Sequence, residues 1–167
     1  MQLSNFNAAT IQEVQQLLMQ MVHIPDWAVQ LQQLRPFASK EQLLQQAEQL
    51  ADTWTWPQIA AALATHPRIG EKQAQAQLSA KEQDFSAAEQ AAIAQDQSTQ
   101  AALLAGNLAY EAQFDFIFLI RAAGRSSDEI LAALEQRLHH DLATEQQVVH
   151  QQLKEIALLR LAQEIGA

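Results

Sequence analysis

FDFIFLIRAAGRSSDE, residues 114–129, is the stretch on which the fold class turns. Phe114, Phe116, Ile117, Phe118, Leu119 and Ile120 form the only dense aromatic and β-branched run in the chain. By propensity such a run suits a buried strand. A strand must pair its backbone N–H and C=O groups with a neighbour, and a lone strand has no obvious partner in this sequence. The stretch is therefore read as a buried extended segment or a helix end. With no strand here, the chain is all-α.

Outward from that run, the punctuation is helical. Ala, Leu, Gln and Glu dominate, and Gly and Pro number only four each. Ile11, Val14, Leu17, Leu18 and Met21 fall at helical spacing in a first helix capped by Asn7. A short second helix carries Trp27, Val29, Leu31 and Leu34 and stops before Pro36. Ser39 with Gln42 opens a third, to about Ala51. Thr55 and Pro57 open a fourth that runs into Thr65, and a polar linker rich in Gln and Lys follows. Ser86, with Glu89 three residues on, opens a helix to about Ala105, stopped by Gly106 and Asn107. Another begins near Leu108. Ser126 with Glu129 starts one that reaches about His139, and Thr144 caps the last, to about Ile165. There is no internal repeat and no domain linker. The expectation is a single-domain bundle of about seven or eight helices over residues 1–167.

Composition narrows the function. Of 167 residues, 49% are hydrophobic and 17% charged, which suits a globular domain able to bury its own core. The formal net charge of −9 argues against a nucleic-acid partner, because an acidic surface neutralises no phosphates. The absence of cysteine removes disulfides, thiolate metal ligands and a Cys nucleophile. The start MQLSNFNAAT lacks the basic and apolar regions of a signal peptide, and no apolar run approaches the roughly 20 residues that span a bilayer. A soluble cytoplasmic protein with no membrane contact is expected.

The chemistry-bearing candidates are few. His23, His66, His139, His140 and His150 show no HExxH-type spacing, so no metal site is expected. The adjacent pair 139–140 suits a solvated helix end, where a cation complements the helix dipole. His66 differs, because Pro67 stiffens the backbone beside it and stops the helix. A His fixed there suits general acid or base work, although a bare helix terminus explains it equally. Glu89, as the partner of Ser86 in a capping box, needs no further role; Gln90 is left unexplained. The functional alternative is a helix N-terminus where Glu89 and Gln90 accept from and donate to a polar, anionic ligand. Arg121 reads as an exposed residue ending the apolar run. Arg160 suits a helix C-terminus or a bidentate carboxylate clamp. No GxSxG elbow, P-loop or GxGxxG is present.

Taken together, HPRIGE (66–71), SAAEQ (86–90), YEAQFDFIFLIRAAGRSSDEILAALEQRL (110–138), EIALLRLAQEI (155–165) and the opening NAATIQEV resemble the 2-oxo-4-hydroxy-4-carboxy-5-ureidoimidazoline (OHCU) decarboxylase family over nearly the whole chain. The resemblance implies an all-α, usually dimeric enzyme of urate degradation that uses no metal or organic cofactor. Such an enzyme converts OHCU to (S)-allantoin and CO2. It implies His66 and Glu89 as catalytic residues. Substrate contacts are implied from Pro67, Ser86, Gln90, the backbone of Phe118, Leu119, Ile120, Arg121 and Ala122, and Arg160. Arg121 departs from the family pattern, where a small or Cys residue is common, so only its backbone is implied there. Arg68 has no implied role.

The chemistry fits these residue types. Decarboxylation leaves an electron pair on carbon, which the substrate's own C=N and carbonyl groups delocalise. The enzyme has to orient the carboxylate, stabilise developing charge and deliver a proton to one face. Two rivals stand beside this reading: a non-enzymatic helical module binding a partner helix in an apolar groove, and a same-fold enzyme acting on a related ureido compound.

Overall fold

The computed structural model describes residues 1–70, 79–91, 93–94 and 96–167. Among them the chain is all-helical, with nine α-helices and no strand. These are α1 (Leu3–Ala8), α2 (Ile11–Met21), α3 (Pro25–Gln33), α4 (Lys40–Ala51), α5 (Trp56–Leu63), α6 (Ala80–Glu89), α7 (Gln97–Phe114), α8 (Ser127–Arg137) and α9 (Leu142–Glu164). The expected polar linker after Thr65 lies largely outside the described residues. The chain forms two compact units, Met1–Ala62 with Leu153–Ala167, and Leu63–Gln152.

In the first unit α2 starts at Thr10, not Asn7. Thr10 and Glu13 form a complete capping box, with each side chain meeting the other residue's backbone N–H. This frees the preceding residues for the unanticipated α1. Asn7 instead fixes the loop after α3: its Nδ2 donates to the Phe37 carbonyl and its Oδ1 accepts from the Phe37 N–H, both at 2.9 Å. Arg35 Nη1 donates to the carbonyls of Phe6 and Ala9 at 2.7 Å, satisfying the open end of α1. The core gathers Phe6, Leu18, Met21, Trp27, Leu31, Leu43 and Leu161, all buried. Trp27 also donates its indole N–H to the Ala47 carbonyl at 3.0 Å.

The second unit corrects three expected boundaries. Ser79, not Ser86, caps α6, in a complete box with Glu82. The helix expected to stop at Gly106-Asn107 runs straight through them to Phe114. A Cβ at position 106 would lie 2.2 Å from Leu134 Cδ2, so Gly106 is there to let α8 come close. The last helix begins at Leu142, and Asp141 rather than Thr144 acts as its cap, accepting the Thr144 N–H at 2.7 Å. After Phe114 the chain turns through Asp115, which is left-handed at φ 65°. Residues 117–122 then belong to no helix or strand, and Phe118, Leu119, Ile120 and Ala122 are buried. Of the two readings of the opening stretch, the helix end is seen at Phe114, and the apolar residues after it are buried outside any strand.

Candidate functional site

His66 is placed by the way α5 ends. Pro67 disfavours helical geometry for the residue before it, so α5 closes at Leu63 and His66 N–H bonds the Leu63 carbonyl at 3.0 Å. The imidazole is half-buried and Pro67 is buried. The next residues tie the turn to α7. Arg68 Nε donates to Glu111 Oε1 at 2.5 Å and Nη2 to Oε2 at 2.9 Å, a planar two-point pair. Asn107 Nδ2 donates to the Ile69 carbonyl at 3.2 Å. The Ile69 side chain is buried with Leu103, Tyr110 and Ile130. Gly70, at φ +79°, reverses the chain, and its N–H donates to Gln90 Oε1 at 2.9 Å.

Glu89 and Gln90 therefore sit differently from expectation. They form the last residue and C-cap of α6, not its first turn. The helix N-terminus expected to receive an anion lies at Ser79. Ser86 is interior to α6 and 2% exposed. Gln90 is bound to the His66-bearing turn through its Oε1, which fixes its amide with Nε2 as the remaining donor.

The 118–122 segment is held by a buried ionic cluster. Arg137 Nη1 donates to the Leu119 carbonyl at 2.7 Å, and its guanidinium lies 4.5 Å over the Phe118 ring. Arg137 Nε donates to Glu145 Oε1 at 2.6 Å, and Tyr110 Oη donates to the same oxygen at 2.5 Å. Burial first, then the hydrogen bond to the Glu145 carboxylate, pushes the Tyr110 phenol far above its ordinary range. His140 Nδ1 reaches Glu145 Oε2 at 3.1 Å. Arg121 is half-buried rather than exposed. Its N–H donates to Gln152 Oε1 and its carbonyl accepts from Arg125 Nε, both at 2.9 Å. Neither the N–H nor the carbonyl of the buried Ile120 meets a partner among the described residues.

In the first unit, Arg160 is 5% exposed, and its Nη1 lies 3.3 Å from the Met21 carbonyl. It is a buried arginine, not a solvated one answering a helix dipole. A cavity of about 250 Å³ in the second unit is lined by Arg68, Ile69, Gly70, Gln100, Leu103, Leu104 and Asn107. His66 and Glu89 are not among these lining residues. Asn107 Oδ1 is buried there without a hydrogen bond. Among the described residues, no three His, Asp or Glu side chains are grouped to hold a metal, and no helix is long and apolar enough to cross a membrane.

Sequence reasoning missed Asn107, Glu111, Arg137 and Glu145. The stripe 107, 110, 111 was visible at i, i+3, i+4 spacing, had the helix been carried through Gly106.

Residues 7–162 match the family model described as OHCU decarboxylase. A curated protein from Haloferax volcanii, a 2-oxo-4-hydroxy-4-carboxy-5-ureidoimidazoline decarboxylase, is 28% identical over 145 residues, which cover 87% of this chain and 84% of the relative. Two crystal structures share the fold. An OHCU decarboxylase in the presence of (S)-allantoin has a TM-score of 0.69 at 23% identity, over 87% of this chain and 94% of the other. An (S)-allantoin synthase has a TM-score of 0.70 at 17% identity, over 99% of this chain and 54% of the other.

Proposed function

Because the chain belongs to the OHCU decarboxylase family, we infer that it decarboxylates OHCU to (S)-allantoin in urate degradation. The observation that carries this is the match over residues 7–162, which runs through both compact units and supports treating them as one functional domain.

In the reaction the C–C bond to the carboxylate breaks and CO2 leaves. The electron pair stays on the ring carbon, delocalised into the neighbouring C=N, and a proton is then added to one face. His66 is the proton-transfer group, acting on the 4-hydroxyl or the ring, and its half-buried position beside a buried proline supports that role. Glu89 accepts from ureido or ring N–H groups. Gln90, with Oε1 already occupied, donates through Nε2 to a substrate oxygen. The backbone of 118–122 grips the substrate; among the described residues the N–H and carbonyl of the buried Ile120 meet no partner, which leaves them open to it. Arg121 contributes its backbone; one of its guanidinium nitrogens bonds the Ala123 carbonyl. Arg160 holds a carboxylate or carbonyl, Ser86 and Pro67 complete the contacts, and the enzyme works as a cytoplasmic homodimer without a cofactor.

The test generates OHCU from urate with urate oxidase and hydroxyisourate hydrolase, then adds this protein and follows (S)-allantoin by circular dichroism. A fast rise of optical activity is expected. His66→Ala is expected to lower kcat by about 10²–10⁴-fold. Optical activity no faster than the spontaneous background would refute the reading, and a fully active His66→Ala would remove His66 from it. Sedimentation of the purified protein at twice the monomer mass checks the dimer.

A further inference from the structure

The turn that carries His66 has a conspicuous anchor to which no role has been given. Arg68 is separated from His66 only by Pro67, whose ring fixes its own φ and restricts the residue before it. Motion of the Arg68 backbone is therefore passed to His66 with little slack. The guanidinium is locked at two points to Glu111, at 2.5 and 2.9 Å. Side-chain exposures of 39% and 20% make this pair a weak contributor to global stability. Its geometry is nonetheless specific, because a planar fork meets a carboxylate in one orientation and a lysine ammonium does not. Two further anchors, Asn107 to the Ile69 carbonyl and the Gly70 N–H to Gln90, hold the far side of the turn independently. Loss of the Arg68 pair should thus leave the turn folded and the His66 side of it loose.

We propose that Arg68, clamped by Glu111 of α7, is a positioning residue that sets the orientation of His66. The proposal rests on His66 as the proton-transfer group, and it deepens that reading by naming what holds the imidazole in register.

The test compares the wild type with Arg68→Met, Arg68→Lys, Glu111→Gln and the charge-swapped double variant Arg68→Glu/Glu111→Arg. Turnover of OHCU, the melting temperature and the His66 ring cross-peak in 1H–13C NMR are measured for each. Arg68→Met and Glu111→Gln are expected to lower kcat by up to about a hundredfold, the effect of an ångström-scale misplacement, with KM and melting temperature little changed. Arg68→Lys should not restore kcat, and the charge swap should recover about tenfold or more of it. Arg68→Met with kcat within about twofold of wild type would overturn the proposal. So would a charge-swapped pair that stays at the level of the single variants. The NMR arm separates this outcome from failure of the decarboxylase reading. If the wild type proves inactive on OHCU, a His66 cross-peak that moves in Arg68→Met but not in the control Lys154→Met, which breaks the Lys154–Asp52 pair instead, still supports the clamp. A cross-peak unmoved in both refutes it.

Discussion

Gly106 and Ser79 show how much a single position can decide. A glycine beside an asparagine is a common end to a helix, and here it is the interior of one. What retains the glycine is Leu134 of α8, whose Cδ2 would sit 2.2 Å from an added Cβ. Gly106→Ala gains up to about 1 kcal/mol of helix propensity. It must also displace a leucine that is 2% exposed, at about 1–3 kcal/mol. Net destabilisation is expected by urea denaturation, and Gly106→Ala with Leu134→Ala should be milder than the sum of the two single changes. Ser79 carries the cap of α6, so Ser79→Ala should cost about 1 kcal/mol of stability in the same assay. The misplaced cap has a concrete source. SAKE at 79–82 and SAAE at 86–89 are equivalent local signals seven residues apart, and one helix can use only one of them as its start.

At the scale of elements, the segment 117–122 belongs to no helix or strand, and the Arg137–Glu145–Tyr110 cluster supports it. Glu145 is fully buried and the Arg137 side chain is 6% exposed. Removing one partner of such a pair strands the other charge away from water. Arg137→Met is expected to cost about 3–5 kcal/mol, measured by chemical denaturation at unchanged m-value. Tyr110→Phe leaves the ion pair intact and should cost less, about 1.5–3 kcal/mol for a hydrogen bond to a charged group. Helix α7 reaches both segments that are proposed above to bind substrate. Asn107 and Glu111 hold the His66 turn, and Tyr110, in the same stripe, holds the cluster behind Leu119.

For the whole molecule, the acidic balance sets the response to pH. Asp96, Asp141 and Glu13 all lie below the ordinary carboxylate range. The leading causes are the Thr99 backbone N–H for Asp96, the Thr144 side chain for Asp141 and the Thr10 side chain for Glu13. A carboxyl depressed in the folded state binds protons more weakly than in the unfolded chain. Its contribution is therefore present above the unfolded value, about pH 4, and is lost as pH falls through the folded value. Melting temperature should accordingly fall below about pH 4. Asp96→Asn with Asp141→Asn, which keeps a capping oxygen but removes the titration, should flatten that acid limb in a pH series of thermal melts.

The sequence by itself determined that the chain is helical, that the apolar run around Phe118–Ile120 is buried without forming a strand, and that His66 stands at a helix end. Those features follow from local causes: propensity, 3.6-residue spacing, a proline after His66 and an isolated apolar run. Family membership was legible as well, in motifs that the match over residues 7–162 bears out. Only the tertiary structure decided which of two equivalent caps opens α6. It also decided whether Gly106 ends a helix or admits a neighbour, and what Arg68, Asn107, Arg137 and Glu145 do. The physical reason is range. The Arg68–Glu111 pair joins residues 43 apart, the Asn107–Ile69 bond residues 38 apart, and Arg137 reaches a carbonyl 18 residues away. Each of those side chains was compatible with a solvated surface until packing supplied its partner.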